Sequence, residues 1–303
     1  MDRRPRPDRP GPRPVVPAAH FNLQRPDLRP DRPPLRQDLF TSRVGGLDGQ
    51  LELRLVTVTP LHIGTGLTGL EGGRAIMLTA RCHETPVIPG TALKGALRMV
   101  AEALSRSCPD QRCRACYPCL LFGSLGYRGK VTIHPGIPEA TPAPRPLGFM
   151  LPLRSSRGPS RVDDRVRFYN HRKAQPDPKG VELVETLAAG TVFRAQIHYL
   201  NLPPAALGFL LLVTGAVPGF GFLHKIGGAK GMGLGSMKVE IAQHRLRTVL
   251  RKAPAIHEQD PPPAQELARQ YLEAEKEHDP RGVLVASLAT LREKSLPLEV
   301  ELP

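Results

Sequence analysis

The chain has 303 residues, a net charge of +14, 40% hydrophobic residues, 5% aromatic residues and no Trp. That length allows one large domain or two small ones around a sizeable core. The charge points to an anionic partner, nucleic acid before a membrane surface, and so few aromatic rings argue against a broad base-stacking platform.

From the N-terminus, residues 1–43 are rich in Pro, Arg and Asp, with repeated RPD, RPR and DRP units. Proline removes backbone donors and holds φ, so residues 1–49 are expected to form an extended, disordered tail without helix or sheet, its arginines available to RNA or a neighbouring subunit. No apolar run follows the basic start, and the stretch from Ala205 to Val217 is too short to span a bilayer and stops at Pro218. These features lead to the expectation of a cytoplasmic protein with no membrane partner and reduced thiols.

Gln50 to Thr59 alternates so that Leu51, Leu53 and Leu55 share one face, as in a half-buried strand. Val56 and Val58 fall on the other face, so the far end is either buried on both sides or shifted by a bulge. Leu61 to Gly73, with five glycines, is expected to be a flexible loop carrying His62 at its start. Ala75 to Cys82 reads as a short strand. Val87 to Arg98, VIPGTALKGALR, then reads as a strand end, a Pro-Gly turn and a helix from Thr91 to Ser105. Thr91 is the expected N-cap, Lys94 and Arg98 share one basic face, and Leu93, Leu97, Val100, Ala101 and Leu104 form the apolar stripe.

Cys108, Cys113, Cys116 and Cys119 follow with C-x4-C-x2-C-x2-C spacing. Close thiolates in a reducing compartment point to a structural zinc with four sulfur ligands and no open position. An iron–sulfur cluster and free thiols are the alternatives. Cys82 reads as a spare, buried small residue. Lys130 to His134 reads as a strand, and residues 136–165 as a Pro-rich, irregular, exposed insertion. Val166 to Lys173 mixes Phe168 and Tyr169 with Arg167, Arg172 and Lys173, a composition suited to phosphate contacts.

Thr191 to Leu200 reads as a strand with Val192, Ala195, Ile197 and Tyr199 inward after one slip, and Pro203 to Thr214 as an apolar helix. GGAKGMGLG, Gly227 to Gly235, is too glycine-rich for helix or strand; it makes a loop that approaches a ligand closely around Lys230 and feeds a strand from Ser236 to Ala242. It is not a phosphate-binding P-loop, because no helix follows. Ala264 to His278 and Gly282 to Lys294 read as helices that pack on the sheet or on a neighbour. Strand–helix–strand content, seen twice, gives an α+β, ferredoxin-like arrangement. The expected divisions are the tail 1–49, a domain 50–243 with a metal-binding insertion at about 107–122, and a helical extension 244–303.

TPLHIGTG at Thr59 to Gly66, VIPGTALKGALR, LFGS at Leu121 to Ser124 and GGAKGMGLG together resemble, in order and spacing, the RAMP superfamily of CRISPR effector complexes, with the nearest likeness to type III backbone subunits. The resemblance implies a ferredoxin-like (RRM-like) fold and a ribonucleoprotein of antiviral defence, with guide RNA (crRNA), target RNA and other effector subunits as partners. Some type III backbone subunits carry a zinc-binding insertion after this helix, and insertions like 136–165 reach over the guide–target duplex. Residues expected to hold guide phosphates are Thr91, Lys94, Arg98, Arg167, Arg172, Gly228, Lys230 and Gly231, with Lys94 and Lys230 meeting in one groove. Cleaving relatives place an Asp shortly after a glycine pair. Gly66 to Thr85 contains none, and Arg74 and Ala75 follow Gly72 and Gly73. Glu71 is the substitute candidate, so a non-cleaving subunit is favoured. The alternative is an endoribonuclease, acting on target RNA through Glu71 or on guide precursor through His62 or His171.

Overall fold

The computed structural model describes residues 20–26, 46–108, 111–149, 161–162, 165–177, 179–180, 182–249, 256–299 and 302. The strands before the first helix are β1 (His20–Gln24), β2 (Leu47–Thr57), β3 (Gly64–Glu71), β4 (Arg74–Thr79), β5 (Arg81–Cys82) and β6 (Thr85–Pro86). Helices α1 (Gly90–Ala103) and α2 (Tyr117–Phe122) come next, then β7 (Val131–Ile133), β8 (Ile137–Pro138), β9 (Arg145–Phe149), β10 (Arg161–Val162), β11 (Arg165–Tyr169), β12 (Glu182–Thr186) and β13 (Val192–Leu202). The chain closes with α3 (Pro204–Val213), β14 (His224–Lys225), β15 (Ser236–Val249), β16 (Ile256–Gln259), α4 (Ala264–Lys276) and α5 (Val283–Glu293).

The central sheet runs β15-β2-β13-β7, every pair antiparallel. With α1 between β2 and β7 and α3 between β13 and β15, this is the βαββαβ order of a ferredoxin-like fold. Leu51, Leu53 and Leu55 face the helices at 0–3% exposure, and Thr57 continues the same inward row. No bulge interrupts β2 there: the register shift lies in its partner β15, between Ile241 and Gln243. Thr57 tolerates burial because its hydroxyl donates to the Ala188 carbonyl at 2.8 Å. In β13 the inward row is Phe193, Ala195, Ile197 and Tyr199, without the expected slip, and Val192 is half-buried.

Other elements differ from the sequence reading. His20–Gln24, inside the expected tail, pairs antiparallel with β11 and buries Leu23. Residues 1–19 and 27–45 of that tail lie outside the described residues. Leu61 to Gly73 is no loop: Gly64–Glu71 pairs with β4 as an exposed hairpin turning at Gly72 and Gly73. Its glycines sit among threonines and leucines that sustain a ladder, and only the turn pair takes up positive φ with Gly66. The Pro-rich stretch also builds strands. β8 pairs with β13, and β9 pairs with β12, where Phe149 is fully buried.

Of the C-terminal helices, α4 covers α3 and α5 reaches β1. α3 is buried on all sides from Ala206 to Val213, which a helix apolar all round requires. α4 supplies the second layer. Tyr271 donates to the Leu104 carbonyl at 2.7 Å, and Arg106 pairs with Glu275 at 3.0 Å, both partners buried. Leu267, Tyr271, Leu284 and Leu288 join the same hydrophobic cluster as the sheet. Gly208 permits the approach: a methyl there would fall on the Leu267 carbonyl. We predict that Gly208→Ala lowers stability by about 1–3 kcal/mol, as overpacking of a filled interface does. Urea denaturation measures this, and an unchanged midpoint would show that α4 does not sit so close.

Candidate nucleic-acid interface and metal centre

After α1 the chain turns back through Cys108, and α2 opens just beyond Cys116 with Pro118 in its first turn and Cys119 inside it. The four sulfurs of Cys108, Cys113, Cys116 and Cys119 lie within 4.8 Å of one another, with Cys108 3.6 Å from Cys119 and 3.8 Å from Cys116. A tetrahedral ion with metal–sulfur bonds of ~2.3 Å spaces its sulfurs about 3.8 Å apart, so the donor set fits one. The Ala115 and Cys116 N–H groups both point at the Cys113 sulfur at 3.3 Å, which favours a thiolate there. The Cys116 thiol donates to the Cys108 sulfur, which lowers the pKa of Cys108 and raises that of Cys116. Cys82, expected to be buried, is exposed, because β5 and β6 form only a two-residue hairpin at the surface.

The glycine-rich segment folds onto the turn that follows β2. Gly228 donates to the His62 carbonyl at 2.8 Å, Gly235 to Pro60 at 2.9 Å, and Ser236 to the Thr59 hydroxyl at 2.9 Å. Gly227 has φ 86°, and a methyl there would fall on the His62 carbonyl, so only glycine admits both the conformation and the contact. A 3-10 turn, unexpected from the sequence, spans Lys230–Met232. From the other side come residues 171–173. His171 Nδ1 lies 3.1 Å from the Ser236 hydroxyl, Arg172 donates to the Gly231 carbonyl, and the Lys173 carbonyl packs against Gly233.

Cations gather here with no carboxylate partner among the described residues. Lys225 donates to the Leu234 carbonyl at 2.8 Å. Burial, then the nearby charges of Arg172 and Lys230, push its pKa down to about 7. Burial likewise lowers that of Lys230, whose ammonium has no hydrogen-bond or ion-pair partner among the described residues. The backbone N–H groups of Ala229, Lys230 and Gly231 donate to no acceptor among the described residues. An uncompensated positive cluster around free N–H groups is an anion-binding arrangement. Lys225 was not singled out from sequence, although it stands two residues before the glycine run.

The other candidates sort differently. Thr91 lies inside α1 behind the cap residue Pro89 and makes no capping bond. Ala96, Met99 and Val100 line a narrow crevice with Lys230, and at about 100° per residue Lys94 and Arg98 project from the opposite flank of α1. Lys94 therefore does not line that crevice with Lys230, and no groove shared by the two is seen among the described residues. The VIPG turn packs instead against β7, with Gly90 under the Ile133 carbonyl and Ile88 bridged to Gly136. Arg98 is bound internally, to Glu102 at 3.0 Å and to the Gly123 carbonyl at 2.6 Å. Arg167 lies on β11, its Nε buried with no acceptor among the described residues.

His62 is buried, and its Nδ1–H donates to the Glu185 carbonyl at 2.8 Å; burial lowers its pKa. Burial takes His171 further, to about 3. Both rings are neutral structural groups as placed. Glu71 stands exposed at the hairpin tip, paired in register with Arg74. The open face of the sheet carries ion pairs, among them Arg54–Glu240 at 2.8 Å and Arg194–Glu52 at 3.0 Å, and among the described residues no Phe or Tyr. Its rings are His134 and His198, with centres 4.9 Å apart, so it offers no broad stacking platform among the described residues.

A family model described as the RAMP superfamily matches residues 54–238, more than half of the chain, and the chain belongs to that superfamily. Membership connects it with CRISPR-associated RNA binding and with effector-complex partners in general. No curated protein matches it. Among the described residues no helix is long and apolar enough to cross a membrane. For the cysteine cluster we predict one metal ion per chain by emission spectrometry. Replacing Cys116 by Ser is expected to abolish it, and full retention would refute four-sulfur ligation.

Proposed function

We propose that this chain holds guide RNA as a backbone subunit of a type III-like CRISPR ribonucleoprotein in antiviral defence, in the cytoplasm, with target RNA recruited by pairing to the guide. The observation that supports the reading is the cluster of Lys225, Lys230 and Arg172 around a glycine loop whose N–H groups are free, with no facing carboxylate, among the described residues. Guide phosphates would lie along Gly228 to Gly231, neutralising these cations; sequence would be read by base pairing, as in other RNA-guided systems. Thr91 and Lys94 would form a separate contact at the start of α1, and Arg167 one on β11. Residues 50–243 would be the RNA-binding domain and 244–303 an extension sharing its core. Zinc is the metal that best suits four clustered thiolates.

We favour a holding role over cleavage. Glu71 has no second acid or base beside it on the hairpin, and His62 and His171 are buried and engaged in holding the loop.

Reversing Arg172 and Lys230 to Glu should strip RNA from the purified complex. It should also lower the salt dependence of binding by ~1.4 in the log–log slope, two phosphate contacts at about 0.7 each. Unchanged RNA retention would sink the site.

A pH effect follows from Lys225. Its folded pKa of about 7 lies below the ordinary lysine value, so without RNA the folded protein holds fewer protons than the unfolded chain above pH 7 and gains stability as pH rises from about 7 to 10. A bound phosphate reverses the preference and draws a proton in. RNA affinity should therefore fall as pH rises through 7, and Lys225→Met should flatten that profile. Fluorescence titration from pH 6 to 8.5 checks it; an equally steep profile in the variant would assign the effect elsewhere.

A further inference from the structure

The cysteine knuckle is gripped from outside by two arginines that come from elements on either side of it. Arg25, directly after β1 and only 3% exposed, donates to the carbonyl of Cys108, the first of the four cysteines, at 3.3 Å. Arg98, on α1, donates from Nη1 to the Gly123 carbonyl at 2.6 Å, where α2 ends, and its Nη2 lies 3.9 Å from the sulfur of Cys119, the last of the four. The Arg98 guanidinium is aimed by Glu102, a carboxylate at 1% exposure that also accepts from Gln111 in the knuckle loop.

Neither the knuckle nor β1 is self-sufficient. α2 has six residues, too few for a helix to persist without outside support. β1 has five residues and, among the described residues, pairs only with β11, in a small sheet completed by the two-residue β10, and so slight a ribbon is marginal in water. Beyond that pairing, β1 packs against α5 and is held by Leu23 in the core, by the Phe21–Phe168 stack at 5.7 Å between ring centres, and by the Arg25 contact, among others. Groups that fix a metal ligand from behind commonly govern both affinity and orientation.

We infer that Arg25 and Arg98 are positioning residues of the metal knuckle, and that metal binding locks the N-terminal strand β1 onto the body of the protein. The metal fixes Cys108 and the path of the chain from Gln111 to Gly123. That path sets the two carbonyls, and the arginines transmit it, Arg25 to β1 and Arg98 to α1. Phe21 and Phe168 line the same crevice as Lys230, so the lock reaches the edge of the glycine loop. The inference does not depend on what that loop binds.

The test is amide hydrogen exchange on the full chain, zinc-loaded and after chelation, with zinc affinity measured by competition against a chromophoric chelator. Chelation should speed exchange at His20–Gln24 and Arg165–Tyr169 at least ten-fold while Leu47–Thr57, Val192–Leu202 and Ser236–Val249 stay protected. Arg25→Ala should release β1 in the same way with zinc still bound. Arg98→Ala should weaken zinc by about 10–100-fold, with Arg98→Lys recovering little because a lysine cannot span both acceptors. If chelation unfolds the whole chain, zinc-loaded Arg25→Ala decides: a released β1 supports the lock. A protected β1 in that variant, or zinc affinity unchanged in Arg98→Ala, overturns the proposal.

Discussion

The architecture turns on a close backbone approach: the carbonyls of Pro60 and His62 reach into the glycine segment and take the N–H groups of Gly235 and Gly228. No side chain fits between those strands of backbone. The approach joins the exit of β2 to the entry of β15, two neighbours in the sheet, and so fixes where the β3–β4 hairpin leaves the domain. It also spends the inward-facing groups of the loop on structure while its outward N–H groups stay free. Free donors beside an ammonium, that of Lys230, with no partner among the described residues are costly to keep in an empty protein, and a polyanion removes that cost.

The same segment explains why the histidines are poor catalytic candidates. His62 stitches the turn to β12 through the Glu185 carbonyl, while the Glu185 carboxylate is held by Arg81 and the Thr79 N–H. Burial raises the pKa of that carboxylate, and those two partners more than reverse the effect. His171 performs a similar task at Ser236. Each ring is buried and neutral, and each holds a strand end in place.

Arg98 shows how one residue can be read two ways. Four residues from Lys94 on a helix, it belongs to a basic stripe by spacing alone. Folding brings Glu102 and the Gly123 carbonyl to it, and the charge that looked available for phosphate is committed to the cysteine knuckle. Lys225 is the reverse case: inconspicuous in sequence, it is placed between Arg172 and Lys230 by the hairpin of β14 with β15.

The sequence by itself determined the features that depend on local periodicity and composition: the inward leucines of β2, the stripe of α1, the all-apolar α3 that demands a second cover, the cysteine spacing and the glycine run. These are readable because side-chain direction in a strand or helix follows from position along the chain. Tertiary structure alone decided which turn meets the glycine loop, which flank of α1 faces Lys230, and that His20–Gln24 pairs with a strand about 140 residues away in the chain, a separation that strand geometry leaves open. Those are facts about pairing between distant segments. They are set by the packing of the sheet against its helices, a property of the whole chain that no single stretch encodes.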